Sequence, residues 1–575
     1  MFKLIRFLKE YKKECVIGPL FKFLEACFEL IVPLITAAII DTGIKNHDTA
    51  YIYKMGGVMI FFGLAGLICS LTAQYFAAKA SMGFGTALRT ALFKHVCSLS
   101  YTEIDEIGTP SLITRLTGDI NQAQSGVNLV LRLFLRSPFI VVGAVIMAFC
   151  VNVKLAVIFL IATPLIGAVI YFVMARSIPY YRRIQAVLDR VSLLTRENLA
   201  GVRVIRAFSK QKNEIEDFNK TCATLMNEQI FAGKISALLN PATYIVVNAA
   251  IISLIWGGGI QVNIGNLSQG EVIALVNYMS QILLALIALA NLIIAFTKAS
   301  ASALRINEVF ELLPSVTEKT ETVVPYPDKP RVGFENVSFS YQKSEAEALS
   351  HISFNVPAGA TVGIIGGTGA GKSTLVNLIA RFYDATGGKV LIDGTDVRDF
   401  TFASLRQKIG VVPQKAVLFK GTIRDNLRWR KQDASDDELW AALKIAQGED
   451  FVQSKPGQLD TMIEQGGKNL SGGQRQRLTI ARALVGKPEI LILDDSASAL
   501  DFATDAKLRK AIKQETRGIT VFLVSQRVST IRNADFIVVL DDGKAVGIGT
   551  HEELINNCSV YHEICLSQSE KEDAV

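Results

Sequence analysis

The residues best suited to chemistry in this 575-residue chain lie between 366 and 374. They read Gly366-Gly367-Thr368-Gly369-Ala370-Gly371-Lys372-Ser373-Thr374, a full G-x-x-x-x-G-K-S/T loop that follows an apolar run, TVGIIG, and opens a helical one. Glycines let successive backbone N–H groups wrap phosphate oxygens, the lysine reaches the outer phosphates, and the serine offers a hydroxyl to Mg²⁺. A second apolar run, Ile490 to Asp494, ends on two adjacent acids in ILILDDSASALD. Asp494 suits the second anchor that a Mg²⁺–nucleotide needs. The purpose of its neighbour, Asp495, is the question this motif raises.

Two further pieces narrow the class. Leu470-Ser471-Gly472-Gly473-Gln474 precedes a basic helical stretch, RQRLTIARAL. It offers a serine hydroxyl and glycine amides at a helix N-terminus, an anion site in its own right. Gln414, in VVPQ, lies between the two phosphate motifs. A domain with a phosphate loop and a second, separate phosphate-binding helix end is expected to work face to face with another such domain.

The elements that must position these residues fall into two halves. From about 331 to 566, short β-branched runs (VGIIG, KVLI, GVVPQ, ILILDD, VFLVS) alternate with helical stretches, the pattern of an α/β domain with a largely parallel sheet. Pro314 stops the preceding helix, and Pro325, Pro327 and Pro330 among polar residues mark 314–330 as a linker. The charged end, 567–575, is expected to fray.

Residues 1–313 are of a different kind. Half of the chain is hydrophobic and a fifth is charged, and the apolar residues gather here. Stretches such as 55–78 and 235–270 contain no Asp, Glu, Lys or Arg. A bilayer core needs about 20 apolar residues in a helix, which gives six spans at about 15–40, 55–78, 130–153, 155–175, 238–260 and 272–297. The first is less clean, with Lys22, Glu25 and Glu29 inside it. The head to Lys13 has five Lys/Arg, 79–126 four and 177–234 ten, whereas the alternate loops hold one between them. Both termini are therefore expected in the cytoplasm, and the first apolar segment is too long for a cleavable signal. The net charge of +7 sits mostly in these loops and needs no nucleic acid to explain it. The long inner segments show helical periodicity and read as helix pairs leaving the membrane, bent near Gly108-Thr109-Pro110 and near Gly201 to Phe208. The eight cysteines form no C-x-x-C and read as buried filler or free thiols.

On these motifs the whole chain resembles the ATP-binding cassette (ABC) family. The resemblance implies a six-helix, all-α transmembrane domain with cytoplasmic extensions, fused to an α/β P-loop ATPase domain, in the manner of an exporter half-transporter that works as a dimer. It implies ATP and Mg²⁺ as cofactors, Tyr341 as the aromatic on adenine, Gln414 as the residue reaching Mg²⁺ and the attacking water, and Ser471 to Gln474 as the signature. Ser498-Ala499-Leu500-Asp501 resembles the D-loop, and Phe208 a coupling residue docked on a cassette.

Two positions depart from the family pattern. Asp495 stands where the family has the catalytic Glu, and Val524-Ser525-Gln526-Arg527 has Gln526 where the family has the switch His; the five histidines all lie elsewhere. A carboxylate one methylene shorter sits about 1 Å from where it must polarise water, and misplacement on that scale costs roughly a hundredfold. Both changes strike hydrolysis and spare binding. The chain therefore resembles the degenerate-site subunit of a bacterial heterodimeric multidrug exporter, in the plasma (inner) membrane, whose partner chain supplies the competent Glu and His. The expected cargo is hydrophobic or amphipathic, with Glu25 and Glu29 on one helical face either attracting cationic compounds or, with Glu25 paired to Lys22, lying near the cytoplasmic interface. Export of peptides or lipid-linked substrates, import through the same architecture, and a regulatory ATPase are the alternatives.

Overall fold

The computed structural model describes residues 2–318, 329–341, 346–496, 500–516 and 518–572. Most of the expected linker (319–328), Ser498 and Ala499 of the expected D-loop, and 573–575 lie outside the described residues. The chain divides into two compact units, Met1–Cys97 with Pro110–Glu311, and Ser98–Thr109 with Leu312–Val575.

The first unit is helical throughout. Among the described residues, six helical stretches are long and apolar enough to cross a membrane: Lys3–Ile44, Thr49–Ser98, Thr109–Val151, Val153–Ala200, Gln211–Asn263 and Gln269–Glu311. The helix Val153–Ala200 has 48 residues, about 70 Å at 1.5 Å per residue, against a hydrocarbon core of about 30 Å. The surplus is long enough to extend well beyond the bilayer.

Small residues let the helices close on one another. Gly18 lies against the backbone of Ala73 and Ala77, where a Cβ would stand 3.4 Å from the Ala77 nitrogen, and Ala73, Ala77 and Ala80 are fully buried. Phe159, Ile166, Leu254, Tyr278 and Ile282 form the core of the bundle. The Tyr278 hydroxyl donates to the Leu30 carbonyl at 2.7 Å, giving that buried O–H its partner. At the other end of the first stretch, Asp41 accepts from the Ser268 hydroxyl (2.5 Å) and the Gly270 N–H (2.8 Å). Only glycine fits there, because a Cβ on Gly270 would stand 2.4 Å from the Ala37 carbonyl oxygen. Phe61, Leu64, Ile68 and Leu71 point outward, as suits a face turned to lipid.

The second unit holds two main sheets. The six-stranded sheet runs in the order Lys544–Gly549, Phe536–Asp541, Thr361–Gly366, Thr520–Val524, Ile490–Asp494, Ile409–Val412, with every pair parallel except the first. Ile490–Asp494 and Thr520–Val524 are buried along their whole length, which explains why they read as continuous apolar runs. A four-stranded antiparallel sheet, Leu349–Val356, Val332–Phe339, Gly387–Ile392 and Thr395–Asp396, stands beside it. The largely parallel pattern expected from the sequence did not include this second sheet. The chain stays helical from Ser559 to Glu572, past 567 where fraying was expected. Gln568, in that segment, hydrogen-bonds the backbone of Gln526 and Val528.

Candidate nucleotide site

The G-x-x-x-x-G-K-S/T loop leaves the central strand Thr361–Gly366 and enters the helix Lys372–Ile379. Its glycines are forced by packing and by conformation. Gly371 has φ of 90°, and a Cβ there would stand 2.6 Å from the Ala348 carbonyl oxygen. A Cβ on Gly366 would stand 2.1 Å from the Leu540 carbonyl oxygen. Gly367 has open space where its Cβ would be. Lys372 curls over the loop, its Nζ donating to the carbonyls of Gly366 (3.0 Å) and Gly367 (2.5 Å). Burial pushes its pKa down, against the pull of Asp495 and Asp494.

Ser373 donates to Asp494 Oδ1 at 3.0 Å. Burial raises the Asp494 pKa and the neighbouring Asp495 charge adds to that, while Ser373 and Lys372 oppose it. The next residue turns sharply: Asp495 has φ of 45°, a left-handed conformation that a short polar side chain tolerates. Its N–H donates to the Val524 carbonyl at 3.0 Å, and its Oδ2 accepts from Gln414 Nε2 at 3.1 Å. Gln526 follows the strand Thr520–Val524, whose Val524 pairs with both Asp494 and Ile364, and its side chain is exposed. Tyr341, 40% exposed, bonds Thr374 Oγ1 through its hydroxyl at 3.0 Å. Lys372, Ser373, Thr374, Asp494, Asp495, Gln414 and Tyr341 thus share one neighbourhood.

Ser471 to Gln474 lie on another element. Ser471 caps the helix Gly472–Leu484: its Oγ accepts from the Gln474 N–H (3.2 Å), and its own N–H donates to Gln474 Oε1 (3.1 Å). Asp501 caps the helix Phe502–Glu515, accepting from the Thr504 N–H at 2.8 Å, and these bonds hold its carboxyl below the usual range.

Sequence reasoning put the coupling contact at Phe208, which ends the short helix Val202–Ala207 with its side chain 72% exposed. It overlooked the tip of the first hairpin, Ser98–Thr109, which belongs to the second unit. The short helix Tyr101–Ile107 begins with a capping box, in which Glu103 accepts from the Ser100 N–H. Glu103 is buried and also accepts from the Ser315 N–H (3.1 Å), while Ser100 Oγ accepts from the Val316 N–H (3.0 Å). Tyr101 packs on Phe382 with ring centroids 4.8 Å apart. Tyr383 donates to Asp105 Oδ2 at 2.8 Å, and burial first, then Asp105, pushes the Tyr383 pKa up. The signals available in sequence were the S-x-x-E of Ser100 to Glu103 and the aromatic pair Phe382-Tyr383. Tyr101→Ala is expected to lower substrate-stimulated ATPase about three- to tenfold by loss of the aromatic contact. Equilibrium nucleotide binding should stay within about twofold, since Tyr101 lies off the phosphate loop.

Residues 15–286 match the ABC transporter transmembrane region family and 349–498 the ABC transporter family. An ABC transporter ATP-binding protein of Mycobacterium tuberculosis (strain ATCC 25618 / H37Rv) is 37% identical over 98% of this chain and 97% of its own. The chain belongs to the ABC transporter family. The ATP-dependent lipid A-core flippase of Desulfotalea psychrophila (strain LSv54 / DSM 12343) is 35% identical to this transporter over 81% of each chain. A bacterial Atm1-family ABC exporter, solved with ATP bound, shares its fold, with a TM-score of 0.80 over 97% of this chain and 98% of the other at 23% identity. This ABC transporter is thus a half-transporter of the exporter fold, one transmembrane region and one ATPase domain in a single chain.

Proposed function

We propose that this transporter is one half of a heterodimeric exporter of hydrophobic or amphipathic compounds, and that its own ATP site retains nucleotide and hydrolyses it slowly. The observation that carries the reading is the pair Gln414–Asp495. The carboxylate beside Asp494 is an aspartate, tied at 3.1 Å to Gln414 and short of the reach a glutamate has, and no histidine stands at 526.

The residues fit Mg²⁺–ATP. Ser373 Oγ and Asp494 Oδ1, two hard oxygen donors 3.0 Å apart, suit Mg²⁺, with Gln414 beside them. The glycine loop and Lys372 suit the phosphates, and Tyr341 the adenine. When bound, Mg²⁺ neutralises phosphate charge; this chain's residues orient the nucleotide and hold its outer phosphate. The partner chain would bring the catalytic Glu and switch His, and Ser471 to Gln474 of this chain would close its site. Phe208 would dock on the partner's cassette. Both chains would lie in the bacterial inner membrane with their termini and ATPase domains cytoplasmic.

In the bundle, a cavity of about 350 Å³ is lined by Glu25, Phe28, Glu29, Phe62, Leu67 and Arg136 among others. Of the two arrangements the sequence allowed, a cavity-facing pair of acids or a Glu25 paired with Lys22, the second is present, and Glu29 has a basic partner as well. Glu25 pairs with Lys22 at 2.6 Å, and Glu29 with Arg136 at 2.7 Å. The cluster is neutral, so cation attraction falls to Glu29, the more exposed acid at 39% of its side chain. Glu29→Gln should weaken export of cationic compounds and spare neutral ones. Glu25→Gln should instead destabilise the fold by about 3–5 kcal/mol, because it strands a buried Lys22. Thermal unfolding set beside transport of a cationic and a neutral dye separates the two effects; equal losses of both dyes in Glu29→Gln would remove this acid from selectivity. Lipid-linked cargo is the second reading, favoured by the 35% identity to the lipid A-core flippase.

The deciding experiment is ATPase activity of the full chain alone and with its co-purified partner, across a compound panel. A chain that alone hydrolyses ATP and transports at ordinary exporter rates would overturn the heterodimer reading.

A further inference from the structure

The last helix of the ATPase unit, Ser559–Glu572, presents one side to the core. Tyr561 is fully buried, its hydroxyl 2.7 Å from His551 Nδ1, and Ile564 and Cys565 pack against the same cluster. These positions follow the i, i+3, i+4 spacing of an inward stripe, and the next member, i+7, is Gln568. A polar residue stands where the period asks for an apolar one.

Its carboxamide has a specific use. The ladder of the strand Thr520–Val524 ends where the Ser525 N–H donates to the Ile364 carbonyl at 3.1 Å. The next regular backbone bonds are the Thr530 N–H to the Arg527 carbonyl and the Arg532 N–H to the Val528 carbonyl. Between them Gln568 bridges the bend. Its Nε2 donates to the Gln526 carbonyl at 2.7 Å, and its Oε1 accepts from the Val528 N–H at 2.8 Å. Only one orientation of an amide satisfies both, since the carbonyl needs a donor and the N–H an acceptor. On the bend itself, the Arg527 N–H donates to Ser525 Oγ at 3.0 Å, and the Arg527 guanidinium lies 5.1 Å over the ring of Phe502, the first residue of the helix capped by Asp501.

We propose that Gln568 is a positioning residue for nucleotide sensing: by clamping the backbone on both sides of Arg527, it holds Gln526 toward the γ-phosphate. The proposal rests on the assignment of Gln526 to that phosphate. ATP carries the group that Gln526 would meet and ADP does not, so a loosened clamp weakens ATP binding and leaves ADP binding alone. A residue that served stability only would move both nucleotides together.

The test uses the purified full-length chain with Mg²⁺ and measures ATP and ADP affinities by displacement of a fluorescent nucleotide. Gln568→Met keeps the bulk of the side chain and removes both hydrogen bonds, so the helix should stay packed; Gln568→Glu keeps the acceptor for Val528 and loses the donor to Gln526. Each is expected to lower ATP affinity about three- to tenfold, the worth of one or two net hydrogen bonds, with ADP affinity within twofold and the melting temperature close to the parent's. Gln526→Ala should change the ATP-to-ADP ratio in the same direction. If Gln526→Ala shifts that ratio and neither Gln568 variant does, or if ATP and ADP weaken in parallel, the clamp is overturned. If Gln526→Ala leaves the ratio unchanged, the γ-phosphate assignment fails and the proposal falls with it.

Discussion

Asp495→Glu combined with Gln526→His should raise ATP hydrolysis at this chain's own site by about a hundredfold. The scaffold around both positions is already built. Asp495 sits at the end of a fully buried strand, fixed by its N–H bond to the Val524 carbonyl, and Val524 leads within two residues to Gln526. A glutamate at 495 adds the missing methylene and reaches past the Gln414 amide that holds the aspartate. A histidine at 526 adds a group that titrates near neutral pH, which a carboxamide lacks. Each change alone should give a small part of the gain, because reach without the switch residue leaves the water poorly oriented. On the heterodimer proposal, the measurement is single-turnover hydrolysis in a complex whose partner Glu has been replaced, so that only this site reports. An unchanged rate in the double variant would mean that Asp495 and Gln526 are not what slows the site.

Ser471→Ala should lower steady-state ATPase of the assembled complex about tenfold or more, as when a preorganised donor to developing charge is lost. Asp495→Ala should lower it by less than about twofold, because on our proposal this chain's site contributes little turnover. The asymmetry follows from where each residue acts. Ser471 Oγ already accepts from the Gln474 N–H, so its own proton is free to donate across to the partner's nucleotide, and alanine removes both the donor and the helix cap. The cap alone is worth about 1 kcal/mol of stability, most of which Ser471→Gly would preserve without a hydroxyl. An equal loss of ATPase in Ser471→Gly would therefore point to the hydroxyl. If Asp495→Ala proves the more damaging of the two, the division of labour between the sites is reversed.

How much of this was legible in sequence depends on how local the signal is. The phosphate loop, the Walker B strand and the signature are contiguous motifs whose chemistry survives without knowledge of their surroundings, and six apolar stretches of spanning length announce themselves by composition. The antiparallel sheet was harder, because Val332–Phe339 and Leu349–Val356 are paired through bulges that blur any alternation. Contacts distant in sequence were the least visible. Tyr383 and Asp105 lie 278 residues apart, so nothing near either residue announces the docked hairpin tip. The partners of Glu25 and Glu29 divide in the same way: Lys22 is three residues from Glu25 and readable, whereas Arg136 is 107 residues from Glu29. Gln568 was hidden for another reason, lying in a segment whose charge suggested fraying.

The bond between Asp41 and the start of the last membrane stretch has a consequence for biogenesis. Ser268 and Gly270 are 227 and 229 residues downstream of their partner. A chain made from its N-terminus at about 5–20 residues per second therefore carries its first membrane helix for roughly 10 s or more with this acceptor waiting. Until the sixth helix arrives, the Asp41 carboxylate must find water or other partners. Closure of the bundle is thus a late event in synthesis, and a product truncated before 268 would lack the two donors that Asp41 accepts from.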